Sequence, residues 1–168
     1  MIKKIALGLL AILVLIQFIK PAANVSSGPQ TNAIGNKYPM SDVVKNALAV
    51  ACNDCHSNNT RYPWYSSIQP VSWFLANHVN DGKRHLNFDE FLAYEPKKMD
   101  HKLEELIESQ EEGWMPISSY TLIHKDAVLN AEQKKAIIDY AKEVKAAVGY
   151  VPTAEDLAKE KERQKEKE

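Results

Sequence analysis

Cys52-Asn53-Asp54-Cys55-His56 sets two thiols and an imidazole within one short run. The spacing suits a flat partner with two reactive arms. Thiols one helical turn apart can each add to one of the two vinyl groups on a haem edge, and the side chain that follows then lies under the porphyrin with a ring nitrogen for the iron. Cys-x-x-Cys-His is the attachment signature of a c-type haem. The chain has no other cysteine. Tetrahedral zinc needs four ligands, and neither a second cysteine pair nor a closely spaced histidine pair is present to complete them. A thioredoxin-like redox pair belongs to a strand–helix context in a parallel sheet, which no stretch of this chain resembles. A structural disulfide is the remaining use of the pair. Cys52, Cys55 and His56 are therefore the expected haem-binding residues, with His56 on the iron and one covalently bound haem c per chain.

The elements that must position this run are helical throughout. Ser41 is a good N-cap, and Val43, Val44, Ala47, Leu48 and Ala51 form an apolar stripe that runs into Cys52. Pro70 opens a second helix carrying Val71, Phe74, Leu75 and Val79. Asn87 with Glu90 has a capping-box pattern, Leu86 can staple to Phe91, and the helix so started ends before Pro96. Met99, Leu103, Leu106 and Ile107 mark another helix, stopped by Gly113; Asn130 with Gln133 starts the last, whose stripe of Ile137, Tyr140, Ala141, Val144 and Val148 ends at Gly149. No period-2 alternation of useful length appears, so the domain is expected to be all-α.

Outside that domain the composition changes. Residues 1–21 combine the basic Met1-Ile2-Lys3-Lys4 with a run from Ile5 to Ile19 that is apolar except for Gln17. They read as a signal peptide or an N-terminal membrane anchor, with lysines on the cytoplasmic side. The body is then exported and periplasmic, held at the inner membrane by that segment. Residues 22–39 are rich in Ser, Asn, Gly and Pro and read as a flexible linker; 40–150 hold the haem-binding domain. Residues 151–168 form a charged tail with no apolar face, and no function is assigned to it. Lys+Arg 21 against Asp+Glu 22 leaves no basic excess for a nucleic-acid partner.

This order of elements resembles the layout of small c-type cytochromes: a helix at the attachment motif, intervening helices, a methionine on a loop and an amphipathic C-terminal helix. The layout points to Met115, in Gly113-Trp114-Met115-Pro116, as the sixth iron ligand. Pro116 stiffens that loop, and a thioether raises the potential relative to a second histidine. A histidine or an open position are the alternatives. His78 lies on the Pro70 helix, His85 sits before the next cap, His101 is on a polar face, and His124 is placed to support the Met115 loop. Met99 and Met40 are further sulfurs, read as core and as bordering the linker.

A closer resemblance rests on longer blocks. Cys52 to Tyr65, then Ile68-Gln69-Pro70, then Asp81-Gly82-Lys83-Arg84-His85-Leu86-Asn87-Phe88, together with Met115-Pro116, Tyr120 and His124, look like the bacterial haem-binding domain family of small exported proteins, over roughly residues 40 to 148. The resemblance implies one covalent c-type haem outside the cytoplasm, attached through Cys52 and Cys55 with His56 on the iron. It implies no particular substrate.

Tyr62, Trp64, Tyr65 and Trp73 cluster after the motif, where flat rings would cover a haem face and exclude water. Arg61, Lys83 and Arg84 are candidate partners for the propionates, and Asn58 and Asn59 are turn formers. The expected function is one-electron transfer with redox partner proteins of the cell envelope. A haem-based sensor or small peroxidase is the alternative, and would need an open sixth position.

Overall fold

Capping chemistry sets the main helix starts. The Ser41 hydroxyl accepts from the Val44 amide at 3.3 Å and opens α2 (Asp42–Ala51). Asn130 and Gln133 form a reciprocal capping box at the start of α7 (Ala131–Val148), and Gly149 closes it in the left-handed conformation, φ 64°. The computed structural model describes residues 1–156 and 158, so most of the charged tail lies outside the described residues. In chain order the remaining helices are α1 (Ile2–Ile16), α3 (Asn53–His56), α4 (Val71–His85), α5 (Pro96–Glu111) and α6 (Ser118–Thr121). Among the described residues there is no strand, only an isolated antiparallel bridge between Val25 and Asn59. The architecture is all-helical, as expected.

The core forms where α2, α5 and α7 meet. Helices α5 and α7 run antiparallel: Lys142 reaches Glu111 at 3.4 Å, and Lys145 reaches Glu104 at 2.6 Å and Asp100 at 3.2 Å. The α7 stripe Ile137, Tyr140, Ala141 and Val144 is buried, and Leu103 and Ile107 of α5 meet it in the same cluster. The short α3 continues from α2 and packs against α4.

Two expectations need correction. The segment read as a flexible linker is instead a strap across the domain. Ile34 is only 2% exposed, the Ile34 amide donates to the Phe88 carbonyl at 2.8 Å, the Leu92 amide to Asn32 at 2.9 Å, and the Tyr140 hydroxyl to the Tyr38 carbonyl at 2.9 Å. Backbone amides that find such partners have no reason to remain in water. The helix expected after Asn87 is absent: a single 3-10 turn, Phe91–Ala93, occupies that stretch, and the long helix begins at Pro96. The groups of the apparent capping box are engaged elsewhere. Asn87 Oδ1 accepts from the Asp89 amide at 3.1 Å, while Glu90 accepts from Asn58 Nδ2 at 2.8 Å. The helix expected after Pro70 is present as α4. Val79 is buried, but Phe74 is 52% exposed and Val71 is exposed.

Helix α1 buries none of its residues. No helix among the described residues is long and apolar enough to cross a membrane.

Candidate functional site

The site grows from the junction of α2 and α3. Cys52 caps the end of α2, and its carbonyl accepts from the amides of Cys55 at 3.1 Å and His56 at 2.9 Å. That turn brings both thiols and the imidazole to one wall. Neither cysteine is in a disulfide. Burial, with a smaller contribution from Cys55, pushes the Cys52 thiol up to about 12; burial and then the Asp54 carboxylate push Cys55 up to about 11.

His56 is held at two points by one segment. Its Nδ1 lies 2.9 Å from the Leu86 carbonyl oxygen, and its own carbonyl accepts from the Phe88 amide at 2.8 Å. An Nδ1–H donated to Leu86 leaves Nε2 with the ring's lone pair. Iron-binding histidines are typically oriented in this way, by a backbone carbonyl on the other nitrogen. Burial lowers the pKa of the ring, which favours the neutral form that can bind a metal. The Phe88 ring meets His56 edge-on, centroids 6.3 Å apart.

Gly82 is what allows α4 to lie against this turn. A Cβ built there would stand 2.6 Å from the Cys55 carbonyl oxygen and 3.0 Å from Cys55 Cβ. Asp54, between the cysteines, is buried and fully engaged. Its Oδ1 accepts from the Arg61 amide at 3.0 Å and Nε at 3.2 Å, and its Oδ2 accepts from the Tyr120 hydroxyl at 2.7 Å. Burial and the adjacent Asp54 carboxylate raise the Tyr120 pKa. Tyr120 stacks on His124, centroids 4.3 Å apart, and His124 Nε2 lies 2.9 Å from the Tyr65 hydroxyl. Sequence reasoning passed over Gly82 and Asp54 as individual residues. A glycine inside an otherwise helical pattern is the one signal that points to such a close approach.

Cys52, Cys55, His56 and Met115 all line one cavity of about 560 Å³. That volume falls in the range of about 300–1,000 Å³ typical of pockets that enclose a small molecule or cofactor. His78 and His85 line it too; Leu106, Phe88, Trp114 and Ile117 supply apolar wall. A paired Lys102 and Glu105, 2.6 Å apart, stand at the same cavity. The donor set therefore fits a haem: two thiols, an oriented imidazole and a thioether around one largely apolar space.

The other candidates fall elsewhere. His101 pairs with Glu105 at 3.1 Å on the surface of α5, and His124 lines a neighbouring smaller cavity. Met99 is core and Met40 packs against it. The proposed propionate cations are all engaged: Arg61 with Asp54, Lys83 with Asn24 Oδ1 at 2.6 Å, and Arg84 with Asp81. Asn58 does more than shape a turn. Its side chain bonds Gln30 at 2.7 Å, Glu90 at 2.8 Å and Asn87 at 2.8 Å, joining the strap to the segment that holds His56.

A small helical domain folded round a thiol pair, a pinned histidine and a large cavity is a cofactor-binding module in form. The chain belongs to the haem-binding domain family, whose model matches residues 11–143. The match begins inside α1 and takes in the whole strap, which agrees with the strap being part of the domain. No curated protein and no solved structure matches the chain.

Proposed function

We propose that this chain is a mono-haem, c-type cytochrome-like electron carrier of the bacterial cell envelope. The observation that carries the reading is His56, with its ring set by the Leu86 carbonyl at 2.9 Å, on the same cavity as Cys52, Cys55 and Met115. In this reading Cys52 and Cys55 would hold the haem covalently, and His56 Nε2 and the Met115 sulfur would ligate its iron. When bound, haem supplies one-electron cycling of its iron between ferric and ferrous states. The protein's part is to hold and tune. The hydrogen bond from His56 Nδ1–H to Leu86 fixes the tautomer and makes Nε2 a better donor. Phe88, Leu106 and Ile117 keep water from the cavity, which raises the cost of charge at the iron and so shifts the potential. Residues 1–21 direct export and hold the domain at the inner membrane, beside redox partner proteins.

The test is an optical spectrum of the exported protein: oxidised, reduced, and reduced under carbon monoxide, with one aliquot denatured first. The reading requires haem that survives denaturation and a sharp low-spin reduced spectrum unmoved by carbon monoxide. Ready carbon monoxide binding would replace electron transfer with the sensor or peroxidase reading. Met115→Ala is expected to lose the sulfur-to-iron absorbance of the ferric far-red region; unchanged absorbance there rejects Met115 and turns attention to His78 and His85.

A further inference from the structure

Between the attachment turn and α1 lies an apolar surface that the haem reading does not use. Trp64 is 81% exposed, Leu122 70% and Phe74 52%, with Ile123, Ile68 and Trp73 exposed beside them. They are one patch. Phe74 and Ile123 line the same small cavity with Tyr65, and Trp64 packs edge-on against Tyr65, centroids 5.8 Å apart. Large apolar side chains exposed close together mark a contact surface.

The patch is joined to α1 by hydrogen bonds. The Gln69 amide donates to Gln17 Oε1 at 2.9 Å, and Gln17 Nε2 donates back to the Gln69 carbonyl at 3.3 Å. Gln69 Nε2 donates to the Ile19 carbonyl at 2.7 Å, and the indole Nε1 of Trp73 donates to the same oxygen at 2.9 Å. So the last turn of the apolar segment is fixed to the domain, and the domain has no free linker on which to drift away. Helix α1 has 15 residues, all of them exposed except Ile16, so it offers the domain no packed face. At 1.5 Å per residue it is about 22 Å long, short of the ~30 Å hydrocarbon core of a bilayer. A short apolar helix in lipid draws its flanking groups down to the interface. Here the groups bonded to its end are Gln69 and Trp73, with Ile68 and Phe74 next to them in the chain. Tryptophan favours that depth because the ring is apolar while its N–H needs a polar partner, which for Trp73 is the Ile19 carbonyl.

We infer that the face formed by Trp64, Ile68, Trp73, Phe74, Leu122 and Ile123 seats in the headgroup region of the membrane that receives α1, and so fixes the orientation of the haem-binding cavity to the bilayer. This rests on the proposed membrane role of residues 1–21, but not on the redox role of the haem.

The test uses the haem-loaded full chain in vesicles of phosphatidylethanolamine and phosphatidylglycerol. Trp64→Cys and Leu122→Cys, both at highly exposed positions, carry a nitroxide, and Lys135→Cys, an exposed position on α7 outside the proposed face, serves as the reference. Flotation of the vesicles reports whether α1 holds; collision of the nitroxide with oxygen and with a water-soluble nickel chelate reports depth. The expected result is flotation, with the oxygen-to-nickel ratio at positions 64 and 122 severalfold above that at 135. Flotation with all three labels equally open to nickel overturns the inference while sparing the anchor, and leaves the face to a protein partner. A chain that does not float overturns both.

Discussion

At the residue scale, the site depends on side chains too small or too ordinary to draw notice. Replacing a mid-helix glycine by alanine usually stabilises a helix by about 0.5–1 kcal/mol. At Gly82 the new methyl would meet the Cys55 carbonyl oxygen at 2.6 Å, against backbone that cannot swing aside. Overpacking of that kind costs about 1–3 kcal/mol, so the clash wins. Gly82→Ala is expected to lower the urea midpoint and the yield of attached haem; a midpoint at or above the parent's would show that α4 can give way. Tyr120 ties the helix after the Met115 loop to the attachment turn through Asp54 Oδ2 at 2.7 Å. Tyr120→Phe keeps the ring stacked on His124 and removes only the hydroxyl. A hydrogen bond to a charged group contributes about 1.5–3 kcal/mol. A loss of roughly that size on denaturation is expected, and none would mean that Asp54 is satisfied by Arg61 alone.

At the element scale, the strap is the piece to probe. Ile34 and Phe91 are among the four largest fully buried side chains, yet both come from short 3-10 turns outside the long helices. Ile34→Ala is expected to destabilise by about 2–5 kcal/mol in chemical denaturation. A flexible linker would show almost no change. The capping box of α7 offers a local comparison: Asn130→Ala removes the acceptor of the Gln133 amide at 2.9 Å and is expected to cost about 1 kcal/mol. The strap also carries Asn24 and Gln30 to the loop after His56, which explains why a family match begins near the N-terminus rather than at α2.

For the molecule as a whole, alkaline pH is a test of packing. Tyr140 is 6% exposed and donates to the Tyr38 carbonyl at 2.9 Å, and burial raises its pKa above the ordinary tyrosine value of about 10. The folded chain therefore keeps the phenol proton more tightly than the unfolded chain does. That contribution to stability is complete below about pH 10 and is lost as pH rises toward and past the folded pKa. The urea midpoint should fall above about pH 10, and fall less steeply in Tyr140→Phe. Parallel slopes in the two proteins would assign the alkaline loss to other groups.

Local chemistry made much of this protein legible in its sequence. A five-residue run is enough to bring two thiols and a histidine to one turn, and Ser41, Asn130 and Gly149 act through hydrogen bonds and dihedral angles confined to a few neighbours. The helices α2, α4, α5 and α7 follow from those signals and from apolar periodicity. What depended on distant partners was not legible. The Ser- and Asn-rich composition of residues 24–38 looks like a linker until Phe88, Leu92 and Tyr140 supply bonding partners from far along the chain. Asn87 and Glu90 look like a helix start until Asn58 takes both. Only the tertiary structure sets Gly82 against Cys55 and closes Asp54, Arg61 and Tyr120 into one network, because a close approach between two backbones leaves no periodic trace in either.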